Sequence, residues 1–242
     1  MVSRSFYVGN SFAHLDCDNC IDFIKGMLDK CVDLVVTDPP YGIGYKTNYR
    51  IDSDHDFCSC ILNDDNCDMV GEFIREIYRV MKDDTAMFMF ASPKNLWDYE
   101  RFFRVSGFTV KNRIVWVKNN WTAGDLRDQY GQQYEVIYLA VKGRPLIRGK
   151  RWSDVWNFDR VPSSTAIHQN QKPVPLLERC IESFSDAGQF VFDPFAGSAS
   201  TAIAALNTGR NFGGVELDSN EYNKSVARLE AYCAAINMEV QL

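Results

Sequence analysis

The chain has 242 residues, 46% hydrophobic and 24% charged, a composition that supports one sizeable core and excludes a disordered or fibrous chain. A net charge of −6 and a pI near 5.1 argue against bulk electrostatic coating of nucleic acid. No stretch approaches the roughly 18 uninterrupted apolar residues of a membrane span and the first residues lack a long apolar run, so a cytoplasmic protein without a membrane partner is expected.

No repeat, low-complexity tract or Gly/Ser linker divides the sequence, so residues 1–242 are read as a single domain. Taken in chain order, β-rich runs stand at 32–37 (VDLVVT), 85–91, 113–118, 134–141, 189–193 and 211–216. Between them, Val70, Phe73, Ile74, Ile77 and Met81 share one face of a helix over 67–82. A second helix is predicted after Pro173 and Pro175, with Leu176, Leu177, Cys180, Ile181 and Phe184 inward. Segments 199–208 and 219–236 also read as helices. Strands alternating with helices predict an α/β, doubly wound, mostly parallel sheet with helices on both faces, whose ligands sit beyond the carboxyl ends of the strands.

The 8 cysteines are spread through a chain too long to be a disulfide scaffold, so reduced thiols are expected. Cys17 and Cys20, with His55, Cys58, Cys60 and Cys67, are the only grouping that suggests zinc, but no second well-spaced pair completes it, and no metal is expected.

Two strand ends carry chemistry. In VVTDPPYGIGY, 35–45, a buried strand ends at Thr37, and two prolines then stiffen the backbone and remove two N–H groups, leaving carbonyls as acceptors. Asp38 offers a carboxylate, Tyr41 a flat ring, and Gly42 and Gly44 room for a planar ligand. An aromatic amino nitrogen is a poor nucleophile because its lone pair is delocalised. Asp38 and the Pro39 carbonyl, accepting its two hydrogens, would favour the charge that develops as it attacks a methyl sulfonium in line. In FVFDPFAGSAST, 190–201, a strand ends at Asp193 and small residues lead into a helix, a turn on which a cofactor can rest. Glu216 ends the next strand at the offset where nucleotide-binding sheets place an acid against ribose hydroxyls.

At these residues the sequence resembles the beta class of DNA amino-methyltransferases. TDPPYG resembles the catalytic segment, DPFAGSAST the cofactor segment, GVELDSNEY the strand with the ribose acid, and HQNQKPVPLLERCI, 168–181, the stretch whose helix contacts the methionine part of the cofactor. IYRVMKDDTAMFMFASPK and RIVWVKNN extend the likeness over most of the chain, in the order, catalytic segment first, of the permuted beta group. The resemblance implies a seven-stranded-type methyltransferase sheet and S-adenosyl-L-methionine as cofactor. It implies base chemistry at Asp38, Pro39, Pro40 and Tyr41, and cofactor contacts from Asp38, Lys172, Asp193, Phe195, Ala196, Gly197, Ser198 and Glu216. The expected reaction is methylation of adenine N6 on a flipped-out base of DNA, as in restriction–modification systems. Cytosine N4, RNA adenine, or a non-catalytic nucleic-acid-binding subunit of the same fold are the alternatives. Asp38 favours adenine, since the cytosine enzymes more often carry Ser there. Ala199 and Asn170 stand where the family usually has Gly and commonly has Thr.

A duplex hides the target nitrogen, so the base must leave the stack. Lys142, Arg144, Arg148, Lys150 and Arg151 are expected to hold DNA phosphates, and about 143–167, with the loop 46–65, is the space for target recognition. Such short recognition space also allows for a homodimer or partner subunit.

Overall fold

A computed structural model of the chain describes residues 2–40, 67–93, 96–121, 130–162, 164–168 and 170–239. In chain order these form β1 (Val2–Val8), β2 (Ser11–Cys17), α1 (Cys20–Gly26), β3 (Val32–Thr37), α2 (Cys67–Val80), β4 (Met81–Ala91), α3 (Leu96–Ser106), β5 (Thr109–Val117), β6 (Tyr134–Lys142), β7 (Val155–Asn157), α4 (Val174–Phe184), β8 (Phe190–Asp193), α5 (Ser200–Asn207), β9 (Asn211–Glu216) and α6 (Ser219–Glu239).

The strands make one 9-stranded sheet in the order β1-β2-β9-β8-β3-β4-β6-β5-β7. From β2 to β4 every neighbouring pair is parallel. Strand β6 runs antiparallel to both β4 and β5. Six of the seven strands from β2 to β5 are those expected from the sequence; β2 completes that sheet, and the hairpin strand β1 and the three-residue β7 extend it at its two edges.

Central strands are buried on both faces and alternate between two apolar layers, as the near-continuous apolar run of β3 foretells. Ala86, Phe88 and Phe90 of β4 pack with Leu176, Ile181, Ile203 and Leu229, the layer of α4, α5 and α6. Met87, Met89 and Ala91 pack with Ile24, Phe73, Ile77 and Phe103, the layer of α1, α2 and α3. Helices begin where side chains satisfy their first amides. Asn19 Oδ1 accepts from the Ile21 and Asp22 amides at 2.9 and 3.3 Å, and Asp218 Oδ1 accepts from Asn220 and Glu221 at 2.8 and 3.1 Å. Pro173 caps α4, and Pro175 occupies its first turn, where no N–H is needed.

This connectivity sets the site. From β8 the chain crosses to β9 on one side, whereas from β3 it crosses to β4 on the other, so the winding reverses between two adjacent parallel strands. Such a reversal opens a crevice at the carboxyl ends, and β3 and β8 deliver Asp38 and the 193–199 turn to its two lips.

Candidate active site

The crevice is organised by Asp193, 3% exposed at the end of β8. Its Oδ1 accepts from Thr37 Oγ1 at 2.8 Å and the Phe195 amide at 3.1 Å, and its Oδ2 accepts from Thr201 Oγ1 at 2.7 Å. One carboxyl therefore fastens the end of β3, the turn after β8 and the first turn of α5. Burial outweighs those hydrogen bonds and pushes the group up to about 6. Asp193 thus acts on the site through the shape it imposes.

The turn itself is held from outside. The Ala196 amide donates to the Val215 carbonyl at 2.8 Å, and the Gly197 amide donates to Glu216 Oε2 at 2.9 Å. Glu216 Oε1 accepts from the Asp218 amide at 2.9 Å. From α6, Ser225 Oγ donates to the Gly197 carbonyl, and Arg228 donates to the Ser198 carbonyl at 2.7 Å and to Ser200 Oγ at 2.9 Å. Gly197 has φ +47, and a methyl group built on it would meet only the Phe195 carbonyl, at 3.9 Å, so the backbone is open to a ligand on that side. Ala199, the N-cap of α5, is also left-handed, at φ 55 and ψ 27. Phe195 packs edge-on against Phe73 of α2, ring centroids 5.1 Å apart.

On the opposite lip, Pro39 is buried and Asp38 is partly exposed. Asp38 Oδ2 accepts from Lys172 Nζ, which also reaches Glu135 Oε2 at 3.3 Å; Glu135 Oε1 in turn meets Lys118 at 2.6 Å. Burial works against the Lys172 charge, but the two carboxylates prevail and hold the ammonium above its ordinary value. Next to it, burial depresses the His168 imidazole, whose Nδ1 accepts from the Asn170 amide at 3.1 Å. The ring is therefore neutral at pH 7.

The donor set suits a cofactor carrying a sulfonium, an ammonium group and ribose hydroxyls. Glu216 stands at the turn, raised by burial, and the nearby Glu221 contributes to that rise. The Oε2 of Glu221 is buried without a hydrogen-bond partner among the described residues. Carboxylates outnumber cations here, so the local field favours positive charge.

The end of β3, the small-residue turn after β8 and the acid that ends β9 all fall within residues 32–227, which match the model of the DNA methylase family covering N6 and N4 enzymes. The chain belongs to this N6/N4 DNA methylase family. The DNA adenine methyltransferase YhdJ of Escherichia coli K12 is 30% identical over 241 residues, spanning 86% of this chain and 79% of the relative. Among solved structures, the M1.HpyAVI–SAM complex superposes with a TM-score of 0.67 at 24% identity, over 88% of this chain and 98% of that one. The cytosine-N4-specific PvuII DNA methyltransferase superposes with a TM-score of 0.72 at 13% identity, over 93% and 92% of the two chains. At those identities the superpositions speak for the fold.

In this DNA methylase the structure gathers Asp38, Pro39, Pro40, Lys172, Asp193, Phe195, Ala196, Gly197, Ser198 and Glu216 around one crevice. Tyr41 and the loop 46–65 lie outside the described residues, as do His55, Cys58 and Cys60 of the zinc grouping. Cys20 is buried, its thiol pushed up to about 12 by burial, and so is not disposed to be a thiolate ligand.

Within the basic cluster, the expectation for Lys142 requires correction. Lys142 is 7% exposed and donates to the carbonyls of Tyr78 and Met81, each at 2.7 Å, where α2 passes into β4. It pairs with Thr85, at the start of β4, because β6 runs antiparallel. The Arg144 amide bonds Asp84, and Arg148 pairs with Asp186 at 3.0 Å beyond the end of α4. Lys142, Arg144 and Arg148 stand at the end of the sheet away from Asp38, and the chain comes back toward the carboxyl ends at β7, which pairs with the last three residues of β5. Trp156 is core, at 4% exposure, and Trp152 stacks on Arg179, with 4.2 Å from the guanidinium to the ring centre. Sequence reasoning missed Glu135, Lys118 and Glu221, each an ordinary charged residue in its local context and marked only by tertiary pairing.

Proposed function

We propose that the protein transfers a methyl group from S-adenosyl-L-methionine to N6 of adenine in DNA. The observation that carries this reading is the crevice between β3 and β8, with Asp38 and the Pro39 carbonyl on one lip and the Gly197–Glu216 turn on the other. Neighbouring strands lie about 4.8 Å apart, so groups on the two lips converge on one bound pair of reactants.

Glu216 suits the ribose hydroxyls, the open backbone at Gly197 suits close approach of the cofactor, and Lys172 and Glu221 border the region for its amino-acid end. When bound, the cofactor supplies an electrophilic methyl group on sulfur. Asp38 and the Pro39 carbonyl accept the two N–H hydrogens of the base, so that the nitrogen lone pair is drawn out of the ring towards that methyl. Once the nitrogen had taken up that methyl group it would give up one proton, which the neighbouring Asp38 carboxylate can accept and pass to solvent. The fixed Asp38 oxygen favours the positive charge that grows on nitrogen in between.

Adenine is favoured by the Asp at position 38 and by the likeness to YhdJ, named as an adenine enzyme. Cytosine N4 is the second reading, since the family whose model matches takes in N4 as well as N6 enzymes. The deciding experiment is digestion of methylated DNA to nucleosides with identification by mass. N6-methyldeoxyadenosine is the expected product, and label found on cytosine alone overturns the adenine reading.

A further inference from the structure

A line of alternating charge leads away from the crevice into the edge formed by β5 and β6. Asp38, at the end of β3, meets Lys172, just before α4; Lys172 meets Glu135 on β6 at 3.3 Å; Glu135 meets Lys118, past the end of β5, at 2.6 Å. Side-chain exposures of 21%, 8%, 16% and 16% from Asp38 to Lys118 place the whole line within the protein. The Lys172 ammonium also lies 5.0 Å from the centre of the Phe90 ring, which closes one side of it. Its outer end is braced: the Lys118 amide donates to the Gln133 carbonyl and Gln133 Nε2 to the Lys118 carbonyl, both at 2.9 Å.

A lysine salt-bridged to Asp38 alone could swing with it, because an ammonium is a point charge on a flexible stem with rotatable donors. A second carboxylate on a strand removes that freedom. We propose that Glu135, anchored by Lys118, is a positioning residue for methyl transfer. It holds the Lys172 ammonium in one place, and the ammonium in turn fixes the Asp38 carboxylate that faces the base. The inference rests on the reading of Asp38 as that acceptor.

Glu135→Gln removes the second anion and keeps the size of the side chain. Because about 1 Å of misplacement can cost roughly a hundredfold in rate, kcat is expected to fall roughly ten- to a hundredfold. The KM for S-adenosyl-L-methionine should stay within about twofold. Lys172 is faced by Asp38 from β3, Glu135 from β6, Lys118 behind it from β5 and His168 from its own segment, with Asp193 beyond Asp38. Loss of Glu135 therefore lowers the pH at which Lys172 gives up its proton, and the alkaline fall of kcat should move to lower pH. Nitrogen-15 NMR of the Lys172 ammonium in the protein alone should show the same displacement. Glu135→Asp should restore part of the rate, and Lys118→Met should lower kcat without moving the alkaline limb down.

Wild-type kcat and pH profile in Glu135→Gln, beside an inactive Asp38→Ala, overturn the positioning role and leave the reading of Asp38 standing. Full turnover in Asp38→Ala overturns that reading itself. Should Glu135→Gln melt below the assay temperature, Lys118→Met decides: reduced kcat at unchanged cofactor KM supports the role, and wild-type kcat ends it.

Discussion

Asp193 has its carboxyl raised from 3.8 to about 6 by burial, against the hydrogen bonds it receives. The folded chain thus binds this proton more tightly than the unfolded chain. Asp193 contributes stability that is fully present below about pH 4 and lost as pH rises through about 6, on the order of 3 kcal/mol across the window. Asp193→Asn keeps a carbonyl for Thr37 and the Phe195 amide without ever ionising. Denaturant melts from pH 4 to 7 should show the wild type losing stability relative to this mutant as pH rises; a constant offset would contradict the assignment. A few residues on, Ala199 occupies the left-handed region that favours glycine, at the position where the family usually has one. Ala199→Gly is expected to raise stability by about 0.5–1 kcal/mol, whereas Ala202→Gly inside α5 should lower it by about 1 kcal/mol. Thermal melts of the two mutants check the contrast.

At the scale of elements, a lysine that looks like a phosphate contact in sequence proves to be the closing group of a helix. Lys142→Met removes the donor to two carbonyls at the junction of α2 and β4 and should cost about 1–3 kcal/mol in a melt while leaving DNA affinity as it was. The misreading has a physical origin: a charge run is visible along the chain, but the antiparallel course of β6 that carries Lys142 to the start of β4 is not. Elements with a strong period were legible. The inward residues of α4 are those its spacing predicts, and β3 and β9 match their runs residue for residue. The hairpin of β1 and β2 was missed because β1 is an edge strand with mostly exposed side chains and little alternation, although Gly9, at φ 56, and Asn10 form a hairpin turn signal. Helix α1 announces itself only by the Asn19 cap, and three residues of β7 are too few to carry a pattern. The two lips of the crevice were readable because strand, turn and acid are local; the salt-bridged line behind Asp38 joins residues 38, 118, 135 and 172 and has no local signature.

For the molecule as a whole, the end of the sheet that bears Asp38 is the end that must receive DNA, because a flipped base reaches only as far as its strand allows. That edge carries exposed aromatic rings. Trp97 stands in the first turn of α3 just past β4, and Trp121, Tyr130 and Tyr134 flank the ends of β5 and β6, with exposures of 87%, 57%, 101% and 41% in that order. Arg144 and Arg148 lie at the opposite end of the sheet, beside Asp84 and Asp186. In a protein of net charge −6, stacking on rings is a source of affinity that does not depend on a broad positive surface. The double mutant Trp121→Ala, Tyr130→Ala should therefore weaken DNA binding, by about 1–3 kcal/mol for each base that loses its partner, with cofactor affinity unchanged. The triple mutant Arg144→Ala, Arg148→Ala, Lys150→Ala should bind DNA as the wild type does and keep the same slope of affinity against salt. Fluorescence anisotropy with a labelled duplex over a salt series separates the two surfaces. A steep loss of affinity and of salt slope in the triple mutant, with the aromatic mutant unaffected, would place DNA on the far edge and force the target base to reach Asp38 from the wrong end of the sheet.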